Sequence, residues 1–578
     1  MSDHKNSKKY FFLQCIVFFL WSATCLSSIG NCSSLEAISF ESLKPSYSPQ
    51  KGRPLPLVGH WNCGDRPGGF GPGFQLWLLQ NKHHILPWVR LPEPGKSSFQ
   101  DVAVSKKLIE FAAEHRLPIS FVSSQWEKLL TTQQKYFLSP EEENPNTILL
   151  DGRVAKAVSP FGPSEPWREV GESWTNQTVM KIIQKWYPDP PLVLFISNNE
   201  HAKLHWYEVE KSRRWRYVNK YGLKATDDYK RKLVGDGWIQ KYQALFRGMR
   251  EGLVSLSWKK NILFIGYDAF PDGSLWRWKG WEKHSLHASA SDPNTKGSNV
   301  EREKIRLEPW SSVWDGASAS FYTHDWDPSV DFTTWSPQVR AMNLVPLLED
   351  VYLENPVYWF ELSVWDGSQP KKPSQDKRSY YTSKGQKYTP ERYAGMVQFG
   401  MWLLRPRVVR EFRGRGETIR DASNFAYFMQ ILKAVDNIYR NQILERFWRY
   451  GTLVPNGKRQ HLHRSGVLKK YKNRDRWFLL DTQLDPQEWE LGEPVPVFSL
   501  ALVLGEAPSR EWLVYTFAPL KKRDTVAVGI PGYKKVDLAV EAEGRFYHIQ
   551  EQSGAVEFLN LDTQEQSDTV ELLNLGIE

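Results

Sequence analysis

Short apolar runs that break into polar residues recur along most of this chain, and they limit what it can fold into. They are Pro56 to Trp61, Ile85 to Leu91, Leu117 to Val122, Leu192 to Ile196, Asn261 to Tyr267, Ala317 to Tyr322, Val357 to Phe360 and Tyr393 to Leu404. Leu192 to Ile196 and Val357 to Phe360 are continuous in apolar residues instead of alternating with polar ones. That pattern belongs to strands buried on both faces, as in a parallel sheet. Lys106 to His115, Val179 to Trp186, Tyr229 to Gly252 and Ala422 to Tyr450 lie between or behind them and carry helical periodicity. Eight such strands alternating with helices predict an α/β fold, a (β/α)8 TIM barrel with long βα-loop insertions. An open doubly wound sheet is the alternative, but no GxGxxG supports it.

The chain divides further at both ends of that pattern. MSDHKNSKKY followed by the apolar run Phe11 to Leu26 predicts a secretory signal over 1–30, with an uncut anchor as the lesser option. Residues 31–52 are Ser- and Pro-rich and predict an extended lead-in. The barrel is expected over 53–451, then a basic linker over 452–476. Beyond it, short alternating runs with turn signals predict an all-β sandwich over 477–578. If the signal is removed after Gly30, Cys32 and Cys63 are the remaining cysteines and could pair, but two thiols make no disulfide scaffold.

Two strands end in acids. Leu192 to Ile196 breaks into Ser197-Asn198-Asn199-Glu200, and Val357 to Phe360 is followed by Glu361. Carboxylates past the C-terminal ends of buried parallel strands sit where α/β barrels keep their chemistry. The competing reading is that Asn198 or Asn199 caps the next helix, and that Glu361 is a core-edge residue bonded to a backbone amide. Glycoside hydrolysis needs a facing pair of carboxyl groups: one protonates the departing oxygen while the other attacks the anomeric carbon, about 5 to 5.5 Å away in retaining enzymes.

These residues resemble the clan A glycoside hydrolases. The match is carried by Arg90 ending the second strand, Asn199-Glu200 the fourth, Tyr322 and His324 at the sixth, Glu361 at the seventh and Trp402 on the eighth. The resemblance implies that Glu200 is the acid/base and Glu361 the nucleophile. It further implies that Asn199 contacts the sugar 2-OH, Arg90 keeps Glu361 ionised and Tyr322 orients it. Trp326 and Trp365 are expected at the substrate, as are Trp276 and Trp278 beside Arg277 and Lys279 in the loop after the fifth strand. The third strand departs from some relatives by ending in Ser-Ser-Gln-Trp where they carry histidine.

Net charge is +9, which favours a polyanionic partner. For an exported chain a sulfated polysaccharide fits better than nucleic acid, and the loops are similar to those of marine agarases and carrageenases. Flat faces among the 26 tryptophans can stack on sugars, although core packing accounts for most of them. The expected partner is a carbohydrate and the expected location secreted or periplasmic, with no stable membrane insertion once the signal is gone. No cofactor is expected, and no metal, since no HExxH motif and no Cys/His zinc pattern is present. Two other classes stay open: a non-catalytic carbohydrate-binding protein on the same scaffold, and a metal-dependent hydrolase using His324, Asp325 and Asp327.

Overall fold

The computed structural model describes residues 52–60, 71–95, 102–123, 126–197, 212–219, 227–267, 313–323, 355–365, 387–411, 422–454, 497–519 and 524–561, with isolated positions between. The expected signal, Glu200 with Asn199, the Trp276–Trp278 loop, His324 and Trp326 all lie outside the described residues.

Eight parallel strands form one sheet that nearly closes on itself. They are β1 (Leu57–His60), β2 (Trp88–Arg90), β3 (Ile119–Ser123), β4 (Val193–Ser197), β5 (Ile262–Tyr267), β6 (Gly316–Tyr322), β7 (Trp359–Trp365) and β8 (Val408–Glu411). From β2 to β8 each strand pairs with its sequence neighbour, and β8 returns to β1, which is the barrel topology expected from the alternation. Outward side chains such as Phe121, Phe195 and Phe264 stack into the helical layer, with Phe264 packed on Phe246 at 4.1 Å. Helices α2 (Glu165–Thr175) and α3 (Asp227–Gly252) approach to backbone contact. A Cβ built at Gly171 would stand 2.0 Å from the Leu245 carbonyl oxygen, and one at Gly248 would stand 1.9 Å from that of Arg168, so only glycine fits at either place.

The ring is weakest between β1 and β2, where a single bridge, Val58 to Ile85, joins the strands. Side chains take over the missing ladder. Gln75 on helix α1 (Pro72–Gln80) is buried, donates from Nε2 to the Trp88 carbonyl at 2.9 Å and accepts from the Trp88 N–H at 2.9 Å. One amide thus satisfies both backbone groups of a residue that has no strand on that side. Replacing Gln75 by Leu should cost about 2 to 5 kcal/mol, because it strands a buried N–H and a buried C=O together. Chemical denaturation would show this, and a loss below about 1 kcal/mol would mean the seam closes without Gln75.

The eighth strand is not where the sequence places it. Tyr393 to Leu404 lies in helix α4 (Pro390–Leu404), and β8 is the short VVRE run after it. Pro390 stands in the first turn, the Thr389 hydroxyl accepts from the Arg392 N–H, and Arg405 ends the helix in the left-handed region at φ 45°. The helix reads as a strand because it is apolar all round. One side meets the barrel, where a Gly400 Cβ would touch Phe321 at 3.0 Å, and the other meets the C-terminal sheet, where Phe399 packs on Phe498 and Phe517.

After helices α5 (Ala422–Arg440) and α6 (Gln442–Tyr450) the chain becomes all-β. An antiparallel sheet takes β9 (Thr452–Leu453), β10 (Phe498–Leu504), β11 (Glu511–Phe517), β14 (Arg545–Gln550) and β15 (Val556–Phe558), with β12 (Asp524–Gly529) and β13 (Lys535–Val540) forming a separate hairpin. Trp512, Val514, Val526, Val528, Leu538 and Val540 close both onto one apolar cluster. The opposite face of the five-stranded sheet rests on α4 and α6, through Trp402 against Phe546 at 5.3 Å and a Tyr515 hydroxyl donating to the Gly395 carbonyl at 2.8 Å.

Candidate active site in the barrel

Glu361 is the third residue of β7, and the strand continues four residues past it to Trp365. It is therefore inside the barrel instead of at the strand end that the sequence suggests. Register alone places it level with Ser318 on β6 and Val408 on β8. The apolar pattern ends at Phe360 because Glu361 and Ser363, which share one face with Trp365, are polar. The Ser363 hydroxyl meets Ser318 Oγ at 2.7 Å, so the strand keeps its polar face inward.

The carboxylate of Glu361 is fully buried and gripped from one side. Arg410 on β8 donates from Nε to Oε2 at 3.0 Å and from Nη2 to Oε1 at 2.8 Å, a two-pronged ion pair, and Trp359 Nε1 adds a bond to Oε1 at 3.3 Å. Arg410 also donates from Nη1 to the His60 carbonyl at 3.0 Å, which ties β7, β8 and β1 together. Gly59 makes this possible: a Cβ there would meet Val408 at 2.9 Å and the guanidinium carbon at 3.5 Å. On the opposite face of the same two strands, toward α5, Glu411 lies 3.2 Å from His60 Nε2, both buried, with His60 against Trp88 and Phe428. A planar guanidinium matched to a carboxylate fixes both its charge and its orientation, which a nucleophile requires.

The other expected site residues divide. Arg90 ends β2 and is exposed; Arg410, not Arg90, supplies the counter-charge to Glu361. Tyr322 ends β6 and its backbone pairs in register with that of Trp365 at the end of β7. Thr323 follows, its hydroxyl donating to the Trp365 carbonyl at 3.0 Å, while the Tyr388 hydroxyl donates to the Thr323 carbonyl at 3.1 Å. Trp402 does not reach the mouth. It is 1% exposed on α4, between Trp448 and Phe546, because the residue taken for a strand position is a helical one facing the C-terminal sheet. Sequence reasoning missed Arg410. The only signal was two valines before a charged pair, too short a run to register as a strand.

Among the described residues no group of three or more His, Cys, Asp or Glu could hold a metal ion, and no helix is long and apolar enough to cross a membrane. The geometry defines a (β/α)8 barrel with a buried, arginine-bound glutamate on its seventh strand. No protein-family model matches the chain, and no curated protein does. Among solved structures it is similar to a noncanonic maltogenic α-amylase, AmyB, from Thermotoga neapolitana, at 10% identity over 87% of this chain and 98% of that one, with a TM-score of 0.35. It is also similar to a trimodular GH5_4 subfamily endoglucanase, at 9% identity over 91% of this chain and 79% of that one, with a TM-score of 0.34. Likeness at that level carries no argument about activity.

Proposed function

We propose that this chain is a secreted, retaining glycoside hydrolase that cleaves a polysaccharide by double displacement. The observation that supports it best is Glu361, carried into the barrel interior by β7 and held by the Arg410 fork. In this reading Glu361 attacks the anomeric carbon, Arg410 balances its charge before attack and orients it, and Glu200 donates and then withdraws the proton at the leaving oxygen. Asn199, Tyr322, His324, Trp326 and Trp365 would contact the sugar, with Trp276 and Trp278 stacking further along and Arg90 at the rim. The net charge of +9 supports an anionic, sulfated galactan as substrate. The basic head and apolar run of the first thirty residues support export.

A panel of sulfated and neutral polysaccharides, read by reducing ends, tests the activity, and the anomer first released tests retention. Glu200→Ala should stall on natural substrate and be rescued by azide on an activated aryl glycoside, giving a glycosyl azide of retained configuration. Release of an inverted product would exclude the double displacement.

One observation favours a second reading. Glu361 and Arg410 are each 0% exposed, as in an ion pair that only braces a barrel. The chain would then be a carbohydrate-binding protein that needs neither glutamate. No cleavage of any polymer in the panel, with binding retained, would select it.

A further inference from the structure

Where the helical layer meets the long insertion after β3, two buried cations lack matching negative charge. Lys241, on α3, is 2% exposed, and its Nζ donates to the Ser164 hydroxyl at 3.1 Å. No carboxylate among the described residues bonds to it. Arg214, on the connection from β4 to α3, is 8% exposed. Its Nη1 donates to the Asn144 carbonyl at 2.6 Å, while its Nη2 is shut off from solvent and has no partner. Burial, and then the charge of Arg214, push the Lys241 ammonium down to about 8. Two buried like charges that feel each other are unfavourable unless an anion joins them.

The segment from Pro160 to Ser164 brings the two together. A Cβ at Gly237 on α3 would stand 2.5 Å from the Pro160 carbonyl oxygen, and one at Gly162 would stand 2.9 Å from Arg214 Nη1. Ser164 ends the segment at the start of α2, with its hydroxyl on Lys241. Burial lowers the Arg214 pKa too, offset in part by Glu141 and Glu142. Glu141 is already engaged, its Oε2 lying 3.4 Å from Arg213 Nη1, and Glu142 is exposed. Glu141 Oε1 is itself buried without a partner. A water between it and Arg214 would satisfy both atoms, but it would leave Lys241 uncompensated, because neither acid acts on that amine.

We infer that Lys241, Arg214 and Ser164 form a binding site for a small inorganic oxyanion, phosphate or sulfate. The donors decide the class. An ammonium, a guanidinium edge and a hydroxyl come from three segments, which suits an ion with several acceptor oxygens better than chloride. Burial decides the source: a group carried on a polymer cannot reach side chains this enclosed, so the ion is a free one. Bound there, it pins the connection that carries Arg214, and earlier in the chain Glu200, to α2 and α3. The site uses neither Glu361 nor Arg410, so it stands whether or not the barrel is catalytic.

Thermal melting of the full chain in chloride, with inorganic phosphate or sulfate added to roughly 10 mM at constant ionic strength, tests it. At least one oxyanion should raise the melting temperature by about 2 to 4 °C over chloride. An ion held too tightly to exchange shows instead as about one equivalent of phosphate or sulfate, found by ion chromatography of dialysed and then denatured protein. Lys241→Met keeps the stem and removes the charge. It should abolish whichever signal the wild type gives, and melt within about 2 °C of the wild type in chloride. Ser164→Ala should weaken affinity or retention about threefold to tenfold. Neither a shift nor a retained ion in the wild type, either signal kept in full by Lys241→Met, or binding indifferent to Ser164→Ala would each overturn the proposal.

Discussion

Glu361→Gln is expected to lower hydrolysis by about ten-thousandfold or more, the scale seen when a nucleophile or its activating partner is removed. It is also expected to cost about 3 to 5 kcal/mol of stability, because it leaves the Arg410 guanidinium buried without its counter-ion. The two losses are separable. Glu361→Leu combined with Arg410→Met replaces the whole pair by apolar side chains of similar reach, and such replacements of buried ion pairs are often neutral or stabilising. The double variant should therefore melt near the wild type and remain inactive. Restored stability together with restored hydrolysis would show that the pair only braces the barrel. Arg410→Lys adds a finer test: a single ammonium keeps the charge but loses the fork, so turnover should fall while binding of a polysaccharide is kept. Circular dichroism melting and initial rates on one soluble polysaccharide supply both readouts.

The second large effect concerns Asp436 on α5, which closes the β1–β2 seam from outside. Its carboxylate accepts from His83 Nδ1 at 2.7 Å, from His84 Nδ1 at 2.8 Å and from the His84 N–H at 3.1 Å. The His84 carbonyl in turn accepts from the Val58 N–H of β1 at 2.8 Å. Burial alone would raise the Asp436 pKa, but the hydrogen bonds and charges of His83 and His84 outweigh it and hold it at about 2, below the usual 3.8. A carboxylate with a lowered folded pKa stabilises most above its unfolded value and loses that contribution as the pH falls. About 2 kcal/mol should therefore be present above roughly pH 4 and vanish on descent toward pH 2. Asp436→Asn should remove this slope and, by taking the charge from three hydrogen bonds, cost about 3 kcal/mol near neutral pH. Urea midpoints between pH 2 and pH 7 measure both, and parallel curves for the two proteins would refute the assignment.

The barrel itself was legible. Seven of the eight strands lie within or overlap apolar runs that stand out in the sequence, because helices cover the outward face of each strand and the inward face carries few charged residues. The alternating strands after Gly451 were legible for the converse reason: in β15 and β13 one face or edge remains solvated. Glu361 was also visible, since an acid directly after such a run stands out, although its place inside the strand was not. Its neighbours were not. Arg410 is forty-nine positions away and meets Glu361 only because β7 and β8 pair in one register.

The sequence by itself determined a parallel barrel followed by an all-β region and a glutamate on the seventh strand, because burial on two faces or one leaves a local period in the chain. Tertiary structure alone decided the rest. The run YAGMVQFGMWLL became a helix, not a strand, because a second sheet covers the side a barrel helix ordinarily turns to water, and uniform burial erases the period that tells the two apart. Trp402 went with it, away from the mouth. The counter-charge for Glu361 and the glutamine that closes the ring are likewise contacts between distant segments. Those contacts leave no mark on either segment alone, since a single Arg or Gln reads the same on a surface as in a core.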